Sequence, residues 1–338
     1  MNIQRSVPIP IRNGRKPYAH FDTPPNLASS GSLSPNLSAP SPPNFVPREP
    51  DAISKVGRYL LLNETQLNVY KALDSVTQDE LVCKVVEVGK YLETFAANFS
   101  MEPHDNVKQV QEVLLGDAQA YAFFPASHGD MHMYARSQRK LNESEASRLF
   151  RQMVSAIAHC HRHGIVLRDL KLRKFAFQDF EKSHVVLESL EDASILSSED
   201  DSLCDKHGCP AYVSPEILNP SSSYSGKCAD IWSLGAILYT MLAGRYPFHD
   251  KDPSVLFGKI RCGKFNVPDS VSPQAKCLIR SLMRVDPTER LTADEILEHP
   301  WLNNFTHNKH MPMRSGKVVD DQLVPDMGIA DDDDSFFS

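Results

Sequence analysis

The stretch Val166-Leu167-Arg168-Asp169-Leu170-Lys171-Leu172-Arg173-Lys174-Phe175 decides the fold once its surroundings are read with it. Just before it, Ala146, Leu149, Phe150, Met153, Ile157 and Cys160 recur at helical steps. Asn142 and Glu145 have the spacing of a capping box, so a helix opens there and leads into the stretch. Further back, from Arg58 to Ser127, apolar residues come in short runs rich in valine and aromatics: Tyr59 to Leu62, Leu81 to Val88 and Ala120 to Pro125. That is the pattern of strands in a small sheet. Beyond the stretch, Ala229 to Ala243 is apolar nearly all round and stops at Gly244, which describes a helix buried inside a lobe. Ser272 before Pro273, and Thr292 with Glu295, open two more helices, the second ending at Pro300. A strand-rich lobe therefore precedes a helix-rich one.

The flanks are of another kind. Residues 1–50 hold 11 of the 24 prolines together with many serines, a composition that cannot bury a core and reads as a disordered leader. Its basic residues Arg12, Arg15 and Lys16 read as a solvated tail or a weak docking element. The segment 303–338 carries three Lys or Arg against seven Asp, four of them in Asp331 to Asp334, and reads as an acidic, solvated tail. The formal charge of -7 and pI near 6.0 argue against nucleic acid and acidic membranes as partners. No apolar run has the length of about 18 residues that a membrane span needs. Seven cysteines without a C-x-x-C pair read as free thiols, so cytoplasm and nucleus are the expected compartments. His159, His161 and His163 alternate along a helix, point in different directions and lack matching ligands, so no metal site is expected.

Several further motifs stand in order around the opening stretch. Leu81-Val82-Cys83-Lys84 resembles the third-strand lysine motif of protein kinases, and residues 166–174 resemble their catalytic loop. Ser214-Pro215-Glu216 stands for A-P-E, Asp230 to Gly235 resembles the family's buried-helix signature, and Arg290 sits where kinases pair an arginine with the A-P-E glutamate, here Glu216. The resemblance covers about residues 57–302. It implies an α+β, bilobal protein-kinase-like fold within a pseudokinase domain of residues 51–302, with a small β-rich N-lobe over about 57–127 and a larger helical C-lobe over about 128–302.

The departures bear on chemistry. A kinase holds magnesium with the D-F-G aspartate and the catalytic-loop asparagine. Here Ser189-Leu190-Glu191 replaces D-F-G and Lys174 replaces the asparagine, so both metal anchors are absent; Leu167 replaces the loop histidine. The three positions of the phosphate-covering glycine loop are Leu62, Glu64 and Leu67, whose side chains block close approach of backbone amides and, at Glu64, repel phosphate. ATP binding is expected to be weak or absent, magnesium-independent if present, and no cofactor is required. Lys84, Asp169 and Lys171 remain, either as relics holding the loop or as a residual site in which Lys174 takes the place of magnesium. Glu93 and Glu102 are both candidates for the partner of Lys84.

Residues 167–175, Leu187-Glu188-Ser189-Leu190-Glu191-Asp192, and the run from Asp205 to Glu216 resemble the Tribbles pseudokinases. The start Met1-Asn2-Ile3 and Phe336-Phe337 near the end are most similar to the second vertebrate paralogue. Asp321-Gln322-Leu323-Val324-Pro325-Asp326 resembles the family's motif for the WD40 propeller of the constitutive photomorphogenic E3 ubiquitin ligase. A valine-proline pair between acids also suits a rigid apolar anchor. Ile296-Leu297-Glu298-His299-Pro300-Trp301-Leu302 resembles the segment that binds MAP kinase kinases, but departs from it at Glu298 and Leu302; the same sequence closes the last helix of many active kinases. Ser194, Ser197, Ser198 and Ser202 lie in the counterpart of the activation segment, beside acids that disfavour added phosphate. By resemblance that segment shapes a pocket for degrons of CCAAT/enhancer-binding transcription factors. The implied function is a scaffold that brings such substrates to the ligase for proteasomal degradation and modulates MAP kinase and protein kinase B signalling by docking. The rival is a weak, magnesium-independent protein kinase using Asp169 as base with Lys84, Lys171 and Lys174 as charge clamps.

Overall fold

A computed structural model describes residues 4–5, 54–198, 200–219 and 223–307. In the N-lobe, strands β2 (Ser54–Val56), β3 (Tyr59–Gln66), β4 (Val69–Asp74), β5 (Glu80–Glu87), β6 (Glu112–Leu115) and β7 (Gln119–Pro125) form an antiparallel sheet in the order β6-β7-β5-β4-β3-β2. On β5, Leu81, Cys83 and Val85 alternate inward onto Tyr59, Leu61 and Phe123, and the rings of Tyr59 and Phe123 stack 3.8 Å apart. The open edge of β6 also takes a short parallel strand, β1 (Gln4–Arg5). The pairing follows from the unpaired backbone groups an edge strand presents, and of the leader expected over residues 1–50 only these two residues are among those described. Arg12, Arg15 and Lys16 lie outside the described residues.

Between β5 and β6 the chain forms two single turns, α1 (Tyr91–Thr94) and α2 (Ala96–Phe99), broken at Phe95, whose φ of -106° and ψ of 18° leave the helical region. The Phe95 ring is fully buried in a satellite cluster with Val113, Ala120 and Phe124. Burying this ring sets the break, so no continuous helix runs beside β5.

The C-lobe is built on α3 (Met131–Ser137), α4 (Glu143–Arg162), α5 (Gly226–Ala243), α6 (Pro253–Cys262), α7 (Pro273–Leu282), α8 (Ala293–Leu297) and α9 (Pro300–His307). Short pairs join its loops: β8 (Ile165–Val166) with β11 (Ser194–Ile195), β9 (Phe175–Phe177) with β10 (Val185–Leu187), and β12 (Ser202–Leu203) with β13 (Tyr224–Ser225). Asn142 caps α4 by accepting from the Glu145 backbone amide at 2.9 Å, but the reciprocal half of the expected box is absent, because the Glu145 carboxylate accepts from the Tyr134 hydroxyl and the Asn142 side-chain Nδ2 instead of the Asn142 backbone N–H. Thr292 and Glu295 do complete a capping box. Helix α5 ends at Gly244 in the left-handed region, φ 70°, where an added Cβ would stand 2.3 Å from the Arg139 carbonyl. Helix α9 continues the fold to His307, across the expected boundary at residue 302. The acidic tail that follows, including 321–326, lies outside the described residues.

Candidate functional site

The loop at 167–174 hangs on one buried carboxylate. Asp230, near the start of α5, accepts from the amides of Leu167 at 2.8 Å and Arg168 at 3.0 Å, and from His161 Nε2 at 2.9 Å. These bonds hold Arg168 at φ 66°, and its guanidinium then pairs with Asp205. Asp169 is matched on both oxygens: Lys171 Nζ lies 2.8 Å from Oδ2, and the Cys209 amide donates to Oδ1 at 3.0 Å.

After β10, Glu188 meets Lys108 and Ser127, with Ser127 Oγ donating to Glu188 Oε2 at 2.7 Å. Burial pushes the Lys108 ammonium below its ordinary pKa, and the Glu188 charge opposes that. Sequence reasoning passed over this cluster, because Lys108 stands in the polar stretch Asp105-Asn106-Val107-Lys108-Gln109 and reads there as a solvated surface residue. Leu190 is buried in the helical-lobe core, which turns Glu191 outward toward β5. The Glu191 carboxylate pairs with Lys84, whose ammonium also stands 5.2 Å from the centre of the Phe124 ring. Lys84 is therefore not paired with either expected partner: Glu93 and Glu102 are both exposed, and the break at Phe95 removes the helix that would have aimed a glutamate inward.

Lys174 pairs with Asp192. Burial pushes the Asp192 carboxyl up, but the Lys174 bond and charge, with His207 and Lys171 beyond, outweigh it and hold the group below the ordinary value of 3.8. The gap bordered by Leu167, Asp169, Lys174, Ser189 and Asp192 is too narrow for a water molecule. Both carboxylates bordering it face lysines, so the residues present do not fit magnesium. In the β3–β4 turn, Glu64 accepts from the Asn68 amide at 2.7 Å while Leu67 is 85% exposed. Glu64 thus takes up a turn amide that a phosphate-binding loop would leave free.

A protein kinase domain model matches residues 66–302. Tribbles homolog 2 of Canis lupus familiaris and of Mus musculus are each 52% identical to this chain over the whole of both sequences. Tribbles homolog 1 of Homo sapiens is 52% identical over 84% of this chain and 76% of its own length, and Tribbles homolog 3 of Mus musculus is 50% identical over 86% and 83%. The chain belongs to the Tribbles family.

The end-to-end match to Tribbles homolog 2 agrees with the paralogue expected from the two termini. The other positions singled out in this Tribbles chain divide into core and surface. Arg290 holds Glu216 through two bonds of 2.6 and 2.7 Å, as the motif order predicted, and also lies 5.1 Å over the Trp232 ring. Within 296–302, Ile296, Trp301 and Leu302 are buried, and Trp301 Nε1 donates to Glu143 at 2.9 Å. Leu297 and His299 are half-buried and Pro300 is exposed. Ser197 and Ser198 are exposed, whereas Ser194 and Ser202 lie in β11 and β12; Asp201 accepts from Ser225 Oγ and the Lys227 amide at the start of α5. The three histidines find separate partners: His159 bonds the Glu102 carbonyl, His161 the Asp230 carboxylate and His163 the His159 carbonyl.

Proposed function

We propose that this Tribbles chain is a pseudokinase adaptor. Its body captures a degron of CCAAT/enhancer-binding transcription factors at the segment 189–216, while Asp321, Gln322, Leu323, Val324, Pro325 and Asp326 recruit the WD40 domain of the constitutive photomorphogenic ubiquitin ligase. Joining both on one chain raises the local concentration of substrate at ligase to the order of mM for short linkers. The reading places the protein in cytoplasm and nucleus and has it modulate MAP kinase kinases and protein kinase B by docking. Docking through 296–302 would use Leu297, His299 and Pro300, since Ile296, Trp301 and Leu302 fill the core.

The observation that carries the non-catalytic half is the Lys84–Glu191 ion pair: the lysine that would hold nucleotide phosphates is satisfied by the protein's own Ser-Leu-Glu segment. The test is phosphoryl transfer by the purified chain, with and without magnesium, beside Asp169→Asn and Lys84→Ala. Activity no higher than in those variants is the expected result. For the tail, Val324→Ala with Pro325→Ala should abolish ligase recruitment while leaving the thermal unfolding of the body unchanged; retained recruitment rejects the assignment. One observation favours a weak, metal-independent kinase: Asp169 is still positioned by Cys209 and Lys171 at the end of an ordered loop. Transfer that both variants abolish would select that reading.

A further inference from the structure

A second recess opens on the C-lobe beyond α5, with a volume of about 580 Å³. Its floor is a set of rings already fixed against one another. Tyr239 and Phe248 each meet Phe265 edge-on, at 5.9 and 5.6 Å, and the Tyr239 hydroxyl donates to the Asn266 carbonyl at 2.8 Å. Tyr239 and Phe248 are buried and hold Phe265, which is half-buried, so the floor is preorganised and presents the Phe265 ring to another aromatic ring at little ordering cost. The rim carries Arg245, Lys259 and Lys264, and among the described residues no acidic side chain lines the recess. Lys259 is bound to Asp250 and the His249 carbonyl, whereas Lys264 is exposed and makes no ion pair among the described residues.

We propose that this recess docks an acidic peptide segment of a partner protein, with an aromatic side chain on the ring floor and flanking carboxylates at Lys264 and Arg245. Charge complementarity selects the acids: the chain as a whole carries -7, so a locally basic rim around apolar rings is a departure from its own surface. The same negative total works against nucleic acid, whose affinity rests on many phosphate contacts. Tyr246, which lines the recess, meets Tyr212 edge-on at 5.5 Å, and the Tyr212 backbone amide donates to the Cys209 carbonyl at 2.9 Å. Occupancy is thus one ring contact away from the segment that also bonds Asp169. The inference does not depend on which ligase the tail recruits.

The test is fluorescence anisotropy with the full chain and a short labelled peptide of aspartates and glutamates around one phenylalanine. Saturable binding should weaken about tenfold or more in Lys264→Glu, which is exposed and should keep the thermal midpoint of the parent, and likewise when the peptide's phenylalanine becomes alanine. Binding unchanged in Lys264→Glu, or equal binding of a peptide with lysines for its acids, overturns the proposal. Removal of residues 331–338 that tightens binding tenfold or more makes the chain's own acidic, phenylalanine-bearing end the occupant and overturns the assignment to a partner. Self-association abolished by Lys264→Glu overturns it in favour of a second copy.

Discussion

The Glu191 carboxylate closes on the Lys84 ammonium across 107 positions of sequence, joining the segment after β10 to the middle of the N-lobe sheet. Leu190 fixes the direction: with its side chain in the helical core, the next residue faces β5. A single tripeptide therefore both removes a metal carboxylate and supplies the anion that satisfies the nucleotide lysine.

Glu191→Gln should free Lys84 for phosphate. The pair is part-exposed, at 21% and 41%, so screening limits its worth to about 1 kcal/mol or less. Affinity for a fluorescent ATP analogue without magnesium should then rise by no more than about fivefold, and Lys84→Ala should remove the gain. An unchanged affinity would transfer the block to the β3–β4 turn, where Glu64 occupies the Asn68 amide.

Arg290→Ala should be among the most damaging changes in the C-lobe. It leaves Glu216 unpaired in a part-buried position and removes bonds to the Arg284 and Cys228 carbonyls at 2.8 Å. Breaking such a pair costs about 3–5 kcal/mol, read as a lower urea midpoint with an unchanged slope. Arg290→Lys should recover only part of this, because an ammonium cannot hold both carboxylate oxygens in the same fork.

Long-range pairings of this kind were legible where the motif itself names both partners, as with Arg290 and Glu216. The buried helix ending at Gly244 was legible from composition, since nothing but glycine fits beside the Arg139 carbonyl. The partner of Lys84 was not, because it depends on where burial of Phe95 breaks a helix, and Phe95 reads like any apolar residue in a short run. The half-formed box at Asn142 failed for a similar reason: Tyr134, from another helix, competes for Glu145. Local spacing identifies a donor and an acceptor; tertiary packing decides which of several they meet.

The Asp192–Lys174 pair should leave a mark on acid stability. The Asp192 pKa is lower folded than its ordinary value of 3.8, so its stabilising contribution is full above that value and is lost as pH falls through the lower, folded pKa. Asp192→Asn should therefore be less stable than the parent at neutral pH, with the gap constant down to about pH 4 and narrowing below it. Denaturant melts at a series of pH values measure this, and a gap that widens on acidification would reverse the assigned direction.

Trp301 separates folding from docking in the segment 296–302. Its ring is fully buried, edge-on to Phe150 at 6.4 Å, and its indole nitrogen reaches Glu143, which also accepts from the Ser272 amide and hydroxyl at 2.6 Å. Trp301→Ala should thus loosen the joint between α4, α7 and α9 and cost about 3–5 kcal/mol, so any loss of kinase binding in that variant reports unfolding. Leu297→Asp changes a half-buried position instead and should leave most of the stability in place. Thermal melts paired with pull-down of a MAP kinase kinase distinguish the two: binding lost in Leu297→Asp with a near-parental melt places a docking surface here, whereas binding kept in that variant assigns the segment to the core alone.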